Sequence, residues 1–236
     1  MKKNYKWLKI IILIIVILLT VIFTIKLLPF FKNLSTINGR IDFKNNIENL
    51  GGKGVVIIIG LILVQILLPF LPGEPIELLS GMCYGAFNGL LVVFLASFVS
   101  SLIIFVIVKK LGKKFVYDFI GESKVKKLEN SKLFSNQQYL NLILFLVFFI
   151  PGTPKDLFVY IGALLPVNPV SFLLISTFAR FPSIISSTLV GSNILDGNWI
   201  SILVIYICSF IFSAISIAFM GYIKKRNLKK KATFKI

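Results

Sequence analysis

Five ionisable side chains fall within or beside otherwise apolar stretches: Glu74, Glu77, Lys155, Asp156 and Arg180, with Gln65 as a polar companion. A charge inside a bilayer is costly, so if these stretches enter a membrane each residue becomes a candidate for binding or charge transfer. Arg180 is the most demanding. It lies in STFARFPSIISST, about twelve residues from the start of its apolar run, where an arginine costs roughly 3 kcal/mol on insertion scales. It needs a partner, and Asp156 and Glu77 are the candidates. Two readings stay open: a structural ion pair, or a fork of donors offered to an anionic group such as a phosphate.

The acids sit at two similar breaks, Pro72-Gly73-Glu74-Pro75-Ile76-Glu77-Leu78 and Pro151-Gly152-Thr153-Pro154-Lys155-Asp156-Leu157. Their spacing predicts capping boxes. Glu74 and Thr153 occupy the N-cap position, Pro75 and Pro154 the first helical position, and Glu77 and Asp156 the third residue after the cap. At membrane depth a carboxylate also needs a counter-charge or water, so capping and ion or proton coupling can coexist in one residue. Two residues after Arg180, Pro182 predicts a kink with a freed carbonyl. Ser183, Ser186, Ser187 and Thr188 then form either a polar seam or a close-packing face.

The chain has no histidine, which removes the commonest general base and metal ligand. No Gly-x-Ser-x-Gly, phosphate-binding Gly-Lys-Ser run or metal-ligand spacing occurs, so neither an enzyme nor a cofactor is expected. Cys83 and Cys208 lie in apolar surroundings with no shared motif and read as small apolar filler.

The elements that hold these residues follow from composition. Of 236 residues, 57% are hydrophobic and 15% charged, in long apolar runs, the pattern of an integral membrane protein. A spanning helix needs about 20 apolar residues. Ile10 to Phe31, Asn88 to Val108, Asn168 to Val190 and Trp199 to Ile223 meet that requirement. The shorter pieces are Val55 to Leu71, Ile76 to Tyr84, Leu140 to Ile150 and Leu157 to Leu165. They form two pairs, each divided by one of the breaks. Proline and glycine there disfavour a continuous helix, and non-helical backbone at membrane depth must be enclosed by protein or line a cavity. The expected fold class is all-α integral membrane, with four transmembrane helices plus two inverted re-entrant helical hairpins. Their tips are Pro72, Gly73 and Pro75, and Pro151, Gly152, Thr153, Pro154 and Lys155.

The net charge of +17 does not indicate a nucleic-acid partner, because the basic residues cluster just outside the apolar runs. Such flanking clusters mark cytoplasmic loops and contacts with anionic lipid. The N-terminus, the loop Lys109 to Lys132 and the tail after Tyr222 are therefore expected in the cytoplasm, and Gly191 to Asn198 outside. Residues 1–31 read as an uncleaved N-terminal anchor, 32–54 as an interfacial or extracytoplasmic linker, and 55–195 as the core. A last membrane helix over 199–223 and a basic tail over 224–236 follow. Within the linker, Phe43, Ile47 and Leu50 fall at helical spacing before Gly51-Gly52, predicting a short interfacial helix. The loop KKLGKKFVYDFIGESKVKKLENSK predicts amphipathic surface helices.

Five of seven positions match between the breaks at one offset, 79 residues, which also aligns Ser97 with Ser176 and Gly112 with Gly191. The core thus holds an internal repeat, 55–112 and 139–191. The charge rule has the two hairpins entering from opposite sides, an arrangement common among secondary transporters.

FLPGEPIELLSGMCYGAFNG, then KKLGKKF, then FFIPGTPKDLFVYIGALLPVNPVSFLLISTFARFPSIISSTLVG resemble the VTT-domain, SNARE-associated Golgi protein type, branch of the DedA superfamily. The resemblance covers about residues 55 to 195. It implies a polytopic membrane protein with two inverted re-entrant hairpins. Some bacterial members are implicated in returning undecaprenyl phosphate across the cytoplasmic membrane, eukaryotic relatives in scrambling phospholipids, and several in proton-motive-force-dependent tolerance. Acids of the first half and arginines of the second matter in the family, which here implies Glu74 or Glu77, Asp156 and Arg180. Many members carry two arginines in the second half, whereas this sequence has Arg180 alone there.

The expected function is lipid movement across the cytoplasmic membrane, of flippase or scramblase type, with an anionic or phosphate-bearing lipid as partner. Arg180 would hold the head group while Glu77 and Asp156 couple protons or balance charge. A transporter of a small ion or osmolyte, and a membrane scaffold without transport, are the alternatives.

Overall fold

A computed structural model of the chain describes residues 32–34, 36–69, 71–129 and 140–233. The expected first span, Ile10 to Phe31, and the end of the tail, residues 234–236, lie outside the described residues. Every element described is helical: α1 (Ile37–Asn49), α2 (Gly52–Leu67), α3 (Glu74–Ile120), α4 (Glu122–Glu129), α5 (Leu140–Phe149), α6 (Lys155–Leu164), α7 (Pro169–Phe178), α8 (Phe181–Asn193) and α9 (Trp199–Thr233).

Among these residues, three stretches are long and apolar enough to cross a membrane: α3, the α7–α8 pair over Pro169–Asn193, and Trp199–Ser216 of α9. The first contains the span expected over Asn88 to Val108, the second matches Asn168 to Val190 to within a few residues, and the third covers residues 199–216 of the span expected over Trp199 to Ile223. The protein is an all-helical membrane protein. The α1–α2 pair would add a fourth candidate, but α1 carries Arg40, Asp42, Lys44 and Glu48 and only α2 is apolar. The two helices meet at 117°. Gly51, with φ +53, supplies the turn, since a left-handed residue after the last helical turn costs glycine little. The short helix expected before Gly51 is therefore present.

Local breaks fall where proline and glycine place them. The 47 residues of α3 are interrupted by non-helical backbone at Gly85 and Gly112, which separates a first arm, residues 74–84, from the long span. The Ser80 hydroxyl donates to the Gly89 carbonyl across the Gly85 break at 3.0 Å, tying the first arm to the long span. The expected span from Asn168 to Val190 is likewise two helices, divided at Ala179–Arg180 with Pro182 in the first turn of α8. Proline there cannot donate to the carbonyl four residues back, so the helix restarts.

The most extensive packing is between α3 and α8, followed by α2 on α3 and α6 on α3. The α3–α8 crossing brings backbones together. A Cβ on Gly81 would collide with the Thr188 backbone, and one on Gly191 with the Leu78 carbonyl. Ser80, Ser187 and Thr188 are buried in this region. Close packing, as in other membrane helix pairs, falls to Gly81, Gly191 and Thr188, whereas Ser183, Ser186 and Ser187 line a polar cavity. Two aromatic pairs, Phe94 with Phe178 and Phe105 with Phe172, both at 5.4 Å, set the register of α3 against α7. By contrast α9 is barely enclosed, with 6% of its apolar window buried, and its main neighbour is α8. Cys208, expected as filler, is exposed on α9, while Cys83 is buried in α3.

Candidate functional site: a charged cavity where two helix breaks meet

The segment Leu68–Gly73 joins α2 to α3, and Ile150–Pro154 joins α5 to α6. Both breaks face one cavity of about 1000 Å³, which also receives Glu74, Glu77, Lys155, Asp156 and Arg180 together with the α9 side chains Tyr206 and Phe210. All five candidate ionisable residues therefore converge, although the sequence places Glu74 and Arg180 106 positions apart.

Asp156, in the first turn of α6, is the hub. Its Oδ1 accepts from Arg180 Nη1 at 2.7 Å and its Oδ2 from Gln65 Nε2 at 2.7 Å, so one carboxylate ties α2 and α6 to the α7–α8 junction. The same Gln65 nitrogen approaches the Leu71 carbonyl at 3.3 Å. Gly73 completes the tip because a Cβ there would press on the Gln65 amide. Tyr160, one turn after Asp156, donates to the Leu67 carbonyl at 2.8 Å, closing the end of α2 onto α6.

Arg180 is 4% exposed. Its Nε donates to the Ser176 carbonyl at 2.9 Å, and its guanidinium carbon lies 5.4 Å from the centre of the Phe148 ring. Two of the guanidinium nitrogens are thus occupied. Nη2 is buried without a hydrogen-bond partner, a state that is costly unless something arrives to fill it.

Lys155, expected both at a hairpin tip and among the five ionisable candidates, is buried. Its Nζ donates to the Ser183 hydroxyl and acts electrostatically on Glu77. Glu77 also lies within hydrogen-bonding reach of the Ser187 hydroxyl. Glu74 is exposed at the mouth, where Tyr206 Oη approaches Glu74 Oε1 at 3.4 Å.

The capping boxes do not form. The N-cap of α3 is Gly73, with no side-chain capping bond, and Glu74 is already helical. The N-cap of α6 is Pro154, again without a side-chain cap. Thr153 points the other way, donating to the Val147 and Ile150 carbonyls at 2.6 and 2.9 Å, so it stitches the end of α5 rather than the start of α6. The physical reason is competition. Asp156 and Glu77 have cations within reach, and a buried cation left uncompensated costs more than a first-turn amide left without a side-chain cap.

Tyr206 is the residue that sequence reasoning missed. A signal existed, because Tyr206, Ser209 and Ser213 recur at helical spacing in an otherwise apolar span and line the cavity together.

A family model for the VTT domain matches residues 71–193. The chain belongs to that family. The VTT domain is the domain of the DedA and SNARE-associated Golgi proteins, and the matched stretch begins at the first break and ends with α8, enclosing the long span and the second break. Searches of curated proteins and of solved structures returned no match to the chain.

Proposed function

We propose that this VTT-domain protein transfers a phosphate-bearing lipid between the leaflets of the cell membrane, as a flippase or scramblase. The observation that carries the reading is Arg180. It is buried beside a single carboxylate, with Nη2 unpartnered, on a cavity lined by both helix breaks. A phosphate oxygen is the acceptor that such a planar donor edge suits. Glu77 and Asp156 balance the cations when the cavity is empty and take up protons or release the cations when it fills.

The α2–α3 and α5–α6 pairs act as re-entrant hairpins that enter from opposite sides, their tips meeting near the midplane. The basic termini and the 109–132 loop face the cytoplasm. Residues 55–195 form the transport core, with 1–31 and 199–223 as flanking membrane helices. The exposed apolar face of α9, including Ile207 and Phe210, leaves acyl or prenyl chains in the bilayer while the head group crosses.

A water-soluble ion or osmolyte is the competing cargo, favoured by the charged lining of the cavity. Purified protein in sealed liposomes separates the readings. Labelled lipid that becomes accessible from outside, and stops doing so with Arg180→Ala, supports lipid transfer. Solute flux without lipid movement selects the alternative.

A further inference from the structure

The walls of the cavity are held unequally. Gly81 and Gly191 lock the crossing of α3 and α8, and Asp156 ties α2 and α6 to the α7–α8 junction through Gln65 and Arg180. The remaining wall is α9, which gives Tyr206, Ile207, Ser209, Phe210 and Ser213 to the lining. Its apolar window is 6% buried, and its main neighbour is α8. Leu203, Ile211 and Ile215, which do not line the cavity, are exposed. Among the described residues, α9 is therefore a wall one helix thick between the cavity and the membrane.

Two side-chain contacts fasten this wall beside the helix breaks. Tyr206 Oη lies 3.4 Å from Glu74 Oε1 at the start of α3, and the Phe212 ring meets Phe149, the last residue of α5, at 5.2 Å between centroids. The first is long for an O–H···O bond, whose usual length is about 2.7 Å. The second is apolar, and in a bilayer an apolar side chain that leaves a neighbouring helix meets lipid tails of similar polarity, so separation carries little hydrophobic penalty. Opening the cavity anywhere else would break the Asp156 network and strand a buried charge. The turn over residues 194–198 that joins α8 to α9 contains Gly197 at φ +63, a conformation that glycine adopts freely, so α9 can swing about its start without unwinding α8.

We infer that α9 is a lateral gate latched by Tyr206 and Glu74, and that the cavity opens into the membrane plane between α9 and the first helix break. The inference concerns the route into the cavity and holds for any cargo.

The test uses the full chain in liposomes and reads distances between two nitroxides by pulsed electron resonance, with no cargo present. In a Cys83→Ala background one label sits on Cys208, exposed on α9, and the other on Leu91→Cys, exposed on α3. Two distances are expected, and Tyr206→Phe should raise the share of the longer relative to the shorter about fivefold, the scale of one hydrogen bond. A control pair at Leu91→Cys and Val170→Cys, with Cys208→Ser added, spans α3 and α7 and should keep one distance in both backgrounds. Ser213→Cys, on the cavity wall, should react about fivefold faster with a long-chain alkyl maleimide once Tyr206→Phe is present. A single α9 distance, a ratio that Tyr206→Phe leaves unchanged, or an equal spread in the control pair overturns the gate. Faster reaction at Ser213→Cys with a charged maleimide alone overturns the lateral route. Because none of these readouts follows transport, their failure is distinct from failure of the proposed function.

Discussion

Arg180 and Asp156 share one bond, Nη1 to Oδ1 at 2.7 Å, rather than the two parallel bonds a guanidinium and a carboxylate can form. The second carboxylate oxygen is taken by Gln65 and the second terminal nitrogen by nothing. The pair holds Arg180 in place and leaves Nη2 buried without a partner.

Removing one partner strands the other. Asp156→Asn should cost about 3 kcal/mol or more of stability, whereas the double replacement Asp156→Asn with Arg180→Met should recover much of it, because neither half of the pair is then left as an uncompensated buried charge. Thermal unfolding in detergent reads both. Lipid transfer should stay lost in the double variant, which separates the structural use of Arg180 from its binding use.

Gly81 and Gly191 have no room for a methyl group. Replacing either by alanine should destabilise the fold by about 2 kcal/mol through backbone displacement. Gly60 has open space around its Cβ position and sits within α2, so Gly60→Ala should be neutral or slightly stabilising. Unfolding midpoints of the three variants give the comparison.

Thr153 clamps the end of α5. Thr153→Val keeps shape and should cost about 1 kcal/mol. Thr153→Asp, the better N-cap by type, should not rescue it. If aspartate were as good as threonine, the hydroxyl would be serving α6 instead.

Topology is accessible to labelling in a cysteine-free background. A cysteine at Asp196, between α8 and α9, should react with an impermeant maleimide in intact cells, and one at Lys230 only after lysis. The reverse pattern would invert the positive-inside assignment.

Much of the fold was legible because its causes are local. Proline at 182, glycine at 51 and the two Pro-Gly breaks act on the backbone wherever they occur, and the structure interrupts its helices at each. The pairing of Arg180 with Asp156 was legible for another reason, since a buried arginine must find a carboxylate and few exist. What sequence could not convey was competition and crossing. The caps were misread because spacing describes one helix end, while Lys155 and Arg180 arrive from other turns to claim the acids. The burial of Lys155 and the approach of Tyr206 to Glu74 depend on how α6 and α9 pack; the spacing of Tyr206, Ser209 and Ser213 marks a polar stripe on α9 but not what that stripe faces.

The contact of Gly81 with Thr188, and of Gly191 with Leu78, bears on how this chain can change over time. At these two glycines the crossing of α3 and α8 uses no side-chain atoms and leaves no volume for any. A saturation scan should find its least permissive positions there, at residues with nothing to lose, while the charged lining can exchange one acid or cation for another and keep a protein that folds. The chemistry of the cavity can therefore drift on a scaffold that cannot.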